Sequence, residues 1–176
     1  MPPGSTLEGD PTQTLGDMDS KLHNFRFQFL LLLWLCGLTF CTQTVPPNLT
    51  PAQWFQIQHI HPSSNISCNS AMRMVNSYTG HCKGKNTFLH VPFPNAVSVC
   101  HTRSRRCLRS PRKNCHKSKV LVHLTDCNLT GGSHNFSNCR YKQKLKKKFF
   151  VIACTQRSPE DSPAYQIVPV HLDGTV

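Results

Sequence analysis

Acidic residues are scarce in this chain. Its 176 residues include 8 Asp and Glu against 20 Lys and Arg, which gives a formal net charge of +12 with histidine neutral. Residues 1–44 hold 4 of the acidic residues, so the remainder carries 18 basic and 4 acidic residues and a net charge of +14. This balance says little about the fold, but it indicates anionic partners: nucleic acid, heparin-like glycans or anionic membrane surfaces.

The chain also lacks an apolar run of comfortable membrane-spanning length. Its long apolar stretch, residues 25–41, is rich in leucine, has basic residues near its start and suits the core of a signal peptide. Thr42 and Thr44 are small residues at the spacing expected before a cleavage site. The mature chain is therefore predicted to begin near Val45.

Two segments follow from this reading. Residues 1–44 are predicted to be an N-terminal extension and signal peptide, and residues 45–176 to be one domain, since about 132 residues suffice for one core and no repeats are visible. A retained signal anchor is the competing interpretation, but nothing on its amino side resembles a cytoplasmic domain. Residues 1–17 are acidic and turn-rich, which is atypical of a signal peptide, so Met18 is an alternative start.

Paired Cys-x-x-Cys motifs, which are typical of structural zinc sites, are absent. Ten cysteines occur, two of them before residue 45, and an even set of eight in a small secreted domain predicts four disulfides. Spacing alone leaves 105 possible connectivities. A zinc site built from Cys107, Cys115 and His116 is the competing interpretation, and the oxidising secretory route disfavours it.

Helical patterns precede strand patterns along the domain, which favours an α+β fold. Thr50, Pro51 and Gln53 form a helix start with a capping box, and the helix is predicted to end near His59, on the same face as Phe55. Further helices are predicted at 69–78 and 95–101, and strands at 87–90, 120–125, 138–144, 149–154 and 167–173.

Three motifs indicate the chemistry. Residues 82–88, Cys-Lys-Gly-Lys-Asn-Thr-Phe, place Lys83 beside a cysteine expected to be cross-linked, so that its charge is held in a fixed position. His59 ends Gln-Trp-Phe-Gln-Ile-Gln-His, and His171 lies in Val-Pro-Val-His-Leu-Asp. In this order the motifs resemble the pancreatic-type ribonuclease superfamily over residues 45–176. Further segments, such as Asn-Cys-Arg-Tyr at 138–141, resemble the sequences of its eosinophil ribonuclease branch.

The resemblance implies a fold and a disulfide pattern. The fold is a V-shaped antiparallel β-sheet with three α-helices, and the active-site cleft lies in the V. The four implied disulfides are Cys68–Cys127, Cys82–Cys139, Cys100–Cys154 and Cys107–Cys115.

The resemblance also implies roles for individual residues, with single-stranded RNA as the substrate and with no cofactor or metal. RNA carries its own nucleophile, the 2′-hydroxyl, so cleavage needs a base, an acid and a cation. His59 is implied as the base, His171 as the acid and Lys83 as the stabilising cation. The implied substrate-binding residues are Gln58 for phosphate, Thr87 for a pyrimidine, Asp126 to tune that reading and Asn114 for the following base. Asp173, two residues after His171 on a predicted strand, shares its face and can orient the imidazole.

Each of these residues also has a purely structural interpretation. Lys83 could be one more surface cation, and Asp173 a solvated carboxylate at the end of a strand. Histidines outside family motifs are interpreted as ordinary surface or core residues: His61, His81, His90, His101, His116, His123 and His134.

The remaining signals concern the surface. Four glycosylation sequons, at Asn48, Asn65, Asn128 and Asn135, are predicted to lie in loops or at element ends. Basic clusters at Arg103–Lys119 and Lys142–Lys148 suit RNA, anionic glycans or bacterial membranes.

We therefore carry two functional hypotheses for a secreted monomer, with storage in lysosome-like granules as one route to release. The first is an endoribonuclease that prefers pyrimidines and forms a 2′,3′-cyclic phosphate, with a host-defence role. The second is a cationic antimicrobial or glycan- or membrane-binding protein in which RNA cleavage is weak or incidental.

Overall fold

Residues 44–132 and 135–176 are described by a computed structural model. The predicted signal segment and His134 lie outside these residues. None of the described helices combines the length and the apolar character needed to cross a membrane. The described elements are α1 Pro51–His59, α2 Cys68–Thr79, β1 Lys85–Leu89, α3 Phe93–Val99, β2 Cys115–Lys117, β3 Val122–Gly131, a 3₁₀ turn Phe136–Asn138, β4 Arg140–Lys148, β5 Phe150–Gln156 and β6 Ile167–Thr175.

The first helix, α1, begins as its sequence predicts. The hydroxyl of Thr50 accepts the backbone N–H of Gln53, and the Gln53 side chain accepts the backbone N–H of Thr50, so the capping box is confirmed. Pro51 occupies the first turn, where its missing N–H leaves no bond unmade. The Thr50 hydroxyl also donates to Asp161, which ties the start of α1 to the segment before β6.

The α+β prediction is confirmed. The strands form two antiparallel sheets of three strands each. One has the strand order β1-β3-β4 and the other β2-β5-β6. A single apolar cluster joins them, because Phe55 of α1 packs with Leu89 and Leu124 from the first sheet and with Phe150 and Ile152 from the second. Helix α1 contacts both β1 and β6, and this packing positions His59 between the two sheets.

All four disulfides implied by the resemblance are present. The Cys82–Cys139 bond joins the residue before Lys83 to the residue before β4, across 57 positions of sequence. A bond that closes a loop of this length restricts the unfolded chain strongly, by about 4 kcal/mol in the chain-entropy treatment. The signature lysine is thus anchored covalently on its amino side.

Several boundaries differ from those predicted. Helix α3 begins two residues earlier than expected, at Phe93, and β2 was not predicted. Strand β3 continues to Gly131, so Asn128 lies within a strand rather than in a loop or at an end, and that prediction is wrong. All four sequon asparagines are nevertheless exposed on the described surface.

Candidate active site

His59, the last residue of α1, is held by the neighbouring strand. Its Nδ1 donates to the backbone carbonyl of Thr87, at 2.8 Å, and its ring contacts Phe55 with a centroid distance of 5.4 Å. A carbonyl oxygen can only accept, so Nδ1 carries the proton and the neutral ring keeps a lone pair on Nε2. That lone pair is the group a general base requires.

The environment of His59 favours the neutral ring. Its pKa is lowered to about 3, chiefly by burial, next by the positive charge of Lys83 and, to a smaller extent, by His171. The hydrogen bond to Thr87 works in the opposite direction and only partly offsets this. His59 is therefore unprotonated at neutral pH and lies within electrostatic reach of both other motif residues.

Lys83 is connected to α1 through one amide side chain. Its Nζ donates to Oδ1 of Asn86 at 3.0 Å, and Nδ2 of Asn86 donates to the backbone carbonyl of Gln58 at 2.6 Å. Desolvation lowers the pKa of Lys83 to about 8. The side chain is still mostly charged at pH 7, and its ammonium group is partly desolvated.

The backbone of Lys83 is held by two residues for which the sequence predicted no role. Its N–H donates to Oδ1 of Asn76 at 3.0 Å, and its carbonyl accepts from the hydroxyl of Tyr141 at 2.8 Å. Asn76 also donates to Tyr141, at 3.0 Å, and is fully buried. The available signal was a polar residue on the apolar face of α2, beside Met72 and Val75.

His171 lies on β6, opposite Ala153 of β5, and its side chain is exposed. Desolvation by the surrounding protein is nevertheless the largest cause lowering its pKa. The charge of Asp173 raises the pKa, whereas Arg109, Lys83 and Arg112 lower it. The two arginines belong to the loop closed by the Cys107–Cys115 disulfide, so this loop lies near His171.

Asp173 lies at an irregularity of β6, where the register with β5 shifts. Its carboxylate is buried and accepts the backbone N–H of Leu108 at 2.5 Å. It thereby ties the Cys107–Cys115 loop to β6 while acting on His171 through its charge.

Thr87 presents its backbone and its side chain in different directions. The carbonyl of Gly84 and the N–H of His90 both bond to β3, so even-numbered residues of β1 face β3. Because main-chain groups alternate along a strand, the N–H and carbonyl of Thr87 face the other edge, where His59 lies. The Thr87 hydroxyl instead donates to Oδ1 of Asp126 at 2.7 Å.

The two remaining predicted contacts are also located. Gln58 is buried at the end of α1, directly before His59. Asn114 donates its side-chain N–H to the carbonyl of Cys154 at 3.0 Å. Cys115, the residue after Asn114, pairs with Ala153, which pairs with His171, so the backbones of Cys115 and His171 lie about two strand spacings, or roughly 10 Å, apart.

Comparison with known proteins gives the family. A family model described as pancreatic ribonuclease matches residues 50–173, well over half of the chain. The chain belongs to the pancreatic ribonuclease family. It is 45% identical to eosinophil cationic protein of Rattus norvegicus over 82% of this chain and 92% of that protein. Ribonuclease 2B of Mus musculus is 46% identical, over 89% of this chain and 98% of that protein.

A third relative has a different name within the family. Ribonuclease K3 of Sus scrofa is 48% identical over 84% of this chain and 95% of that protein. The relatives named eosinophil cationic protein support membership of the eosinophil branch. The chain is thus a pancreatic-type endoribonuclease of that branch.

One cluster in this ribonuclease has the composition of a metal site but not its chemistry. Donor atoms of Cys107, Cys115 and Asp173 lie within 4.8 Å of one another. The two sulfurs form a disulfide, so neither is available as a thiolate, and Asp173 accepts from Leu108. The zinc alternative built on Cys107 and Cys115 is therefore wrong.

Residues of the first basic cluster, Arg103–Lys119, lie in two separate places on this ribonuclease. Arg109 and Arg112 act on His171, as described above. Five other cations of the cluster line an open groove of about 780 Å³, in which Lys117 Nζ lies 4.2 Å from the centre of the Phe149 ring. The basic residues of this groove are Arg103, Arg105, Arg106, Lys117 and Lys119.

The second basic cluster lies on β4, which pairs with β3 rather than with β5. Two aromatic residues, Phe149 and Phe150, follow this cluster directly in sequence. Phe150 belongs to the buried core, and only Phe149 is near the surface, beneath Lys117. Lys146 is not a free cation either, because its Nζ lies 2.5 Å from Oδ2 of Asp126.

Proposed function

We propose that this ribonuclease is a secreted enzyme that prefers pyrimidines and cleaves single-stranded RNA by transphosphorylation. The observation that carries the proposal is the mutual placement of His59, Lys83 and His171. His59 holds a lone pair on Nε2, and both its pKa and that of His171 respond to the charge of Lys83. One base, one acid and one cation within electrostatic reach are what the reaction needs.

The proposed reaction has two steps. In the first, Nε2 of His59 takes the proton of the 2′-hydroxyl, and the 2′-oxygen forms a bond to phosphorus. The bond from phosphorus to the 5′-oxygen breaks, and protonated His171 gives its proton to the leaving oxygen. Lys83 stabilises the charge that grows on the phosphoryl oxygens. In the second step water attacks the 2′,3′-cyclic phosphate, and the two histidines exchange roles.

Substrate contacts are proposed at the edges of this centre. The backbone N–H of Thr87 donates to the base 5′ of the cut, and its hydroxyl, set by Asp126, completes the reading of a pyrimidine. Gln58 contacts the phosphate, Asn114 the following base, and Asp173 orients His171 through its charge. These contacts need no metal or cofactor, because RNA supplies the nucleophile.

Product analysis on a dinucleotide tests this proposal. The purified chain is expected to convert uridylyl-adenosine (UpA) to uridine 2′,3′-cyclic phosphate and adenosine in buffer containing a metal chelator. The cyclic ester should then be hydrolysed slowly to the 3′-phosphate, which phosphorus NMR resolves. Direct release of a 5′-phosphate, or complete dependence on added metal, would overturn the mechanism.

The pH profile gives a second expected result. As pH rises through the pKa of His171, which lies below its usual 6.5, the acid is lost and kcat/KM should fall. Replacing Asp173 by Asn removes the charge that raises this pKa, so the descending limb should move to lower pH. The Asn oxygen can still accept from Leu108 N–H. Measurements of kcat/KM on UpA between about pH 4 and 8 at constant ionic strength test this; an unmoved limb contradicts it.

A second activity is favoured by the cationic groove. Its five cations and Phe149 form a surface apart from the described partners of the catalytic histidines, suited to an anionic glycan or a bacterial surface. We place a host-defence role here, together with the exposed lysines of 142–148. The proposal takes residues 1–44 as a leader removed on secretion, the product as a glycosylated monomer, and granules as one storage route.

A further inference from the structure

The Asp126 carboxylate is shared between the base-reading residue and a lysine of β4. Its Oδ1 accepts from the hydroxyl of Thr87 at 2.7 Å, and its Oδ2 accepts from Nζ of Lys146 at 2.5 Å. Asp126 is 4% exposed, whereas the Lys146 side chain is 29% exposed. With four acidic residues after position 44, this carboxylate is a rare group in the domain, and it is committed to this pair.

Strand register explains why these three side chains meet. Thr87 of β1 lies directly opposite Asp126 of β3, which lies opposite Lys144 of β4. Lys146 is two residues farther along β4, so it lies on the same face as a diagonal neighbour of Asp126. Diagonal neighbours are about 7–8 Å apart at their Cα atoms, which a lysine side chain can span.

The hydrogen bond fixes which way the Thr87 hydroxyl points. A hydroxyl has one proton, and here an ionised carboxylate, which can only accept, takes it. Toward the cleft the oxygen therefore offers lone pairs and no donor. Uracil presents N3–H, a donor that matches this polarity, whereas cytosine presents an unprotonated N3, an acceptor that does not. The Thr87 N–H can donate to O2 of either base, so it does not discriminate.

Lys146 is what keeps the carboxylate in this state. Burial alone raises the pKa of Asp126. The hydrogen bonds from Lys146 and Thr87, then the charge of Lys146 and lastly that of Lys85, bring it below its usual value. Without the ammonium group, a buried carboxylate either takes a proton or turns toward water. In both cases Thr87 is released to donate its proton to N3 of cytosine.

We propose that Lys146 is a specificity-positioning residue that makes this enzyme prefer uracil over cytosine 5′ of the cut. It acts through Asp126 and Thr87 without touching the base. The inference rests on the proposed function and adds to it a choice between the two pyrimidines. A general role for Lys146 in attracting RNA is the competing explanation, and it would change the cleavage of both substrates by the same factor.

The test compares kcat/KM for UpA and cytidylyl-adenosine (CpA) in wild type and in Lys146→Met. Wild type is expected to cleave UpA faster. In Lys146→Met the UpA/CpA ratio should fall by about 3–10-fold, the worth of one hydrogen bond. Lys144→Gln is the matched control, since its exposed side chain lies on the same strand and its loss should change both rates equally.

A second variant separates positioning from folding. Asp126→Asn can donate or accept at Thr87, so its ratio should also fall, and adding Lys146→Met to it should lower the ratio no further. A ratio unchanged in Lys146→Met, or two rates that fall in parallel, would overturn the inference and leave the proposed function standing. Failure of the wild type to cleave either dinucleotide would instead overturn the proposed function itself.

Discussion

Replacing His171 by alanine is expected to lower kcat/KM for RNA cleavage by about 10²–10⁴-fold, the usual loss on removing a general acid. The 5′-oxygen would then leave as an alkoxide without a proton. The side chain is exposed on β6, so its removal opens no cavity in the core and the fold should persist. Steady-state cleavage of UpA, with circular dichroism as the check on folding, measures the effect.

His123→Ala is the matched control, because His123 is another exposed histidine on a strand. Its turnover should stay close to that of wild type. Comparable turnover in His171→Ala and wild type would contradict the assignment of His171 as the general acid.

The same His171→Ala variant separates the two proposed activities. It retains every cation of the groove lined by Arg103, Arg105, Arg106, Lys117 and Lys119, so killing of bacteria should be largely unchanged. Killing assays on matched concentrations of wild type and variant provide the measurement. Parallel loss of cleavage and killing would mean that the cationic surface has no independent function.

Lys83→Ala is expected to lower kcat by about 10²–10³-fold, as removal of a preorganised charge donor does elsewhere. The effect should be large because the ammonium group is desolvated and held by Asn86. The backbone clamps from Asn76 and Tyr141 and the Cys82–Cys139 bond use no atom of the lysine side chain. The variant should therefore keep the local geometry and lose only the charge.

Lys85→Ala provides the comparison for Lys83→Ala. Lys85 lies two residues away in the same signature and is exposed, so its removal should lower turnover only slightly and in a salt-dependent way. If the two alanine variants lose activity equally, Lys83 acts as one more RNA-attracting surface charge. In that case kcat on a dinucleotide at high salt would barely distinguish them.

Local patterns predicted α1 well. Its capping box, its proline in the first turn and the face shared by Phe55 and His59 depend on residues within ten positions of one another. The α+β order of elements also followed from local periodicity. Spacing alone could not pair the cysteines, because loop closure depends only weakly on loop length, and the family resemblance had to select the connectivity.

The missed features are those that depend on partners distant in sequence. Strand β2 is three residues long and exists because Cys115, His116 and Lys117 pair with β5. The contact between Lys146 and Asp126 follows from the register of β3 on β4, which the sequence does not state. Residues 142–148 therefore look like one run of surface lysines in the sequence, although Lys146 is paired with Asp126 in the structure.

At position 87 the backbone and the side chain do different work. The main-chain carbonyl holds His59, and the side chain meets Asp126. Every amino acid supplies the same carbonyl, so substitution at this position leaves the histidine anchored for as long as β1 keeps its place in the sheet. Under the proposed function, replacing the side chain at position 87 changes base preference, while the hydrogen bond that holds His59 stays in place.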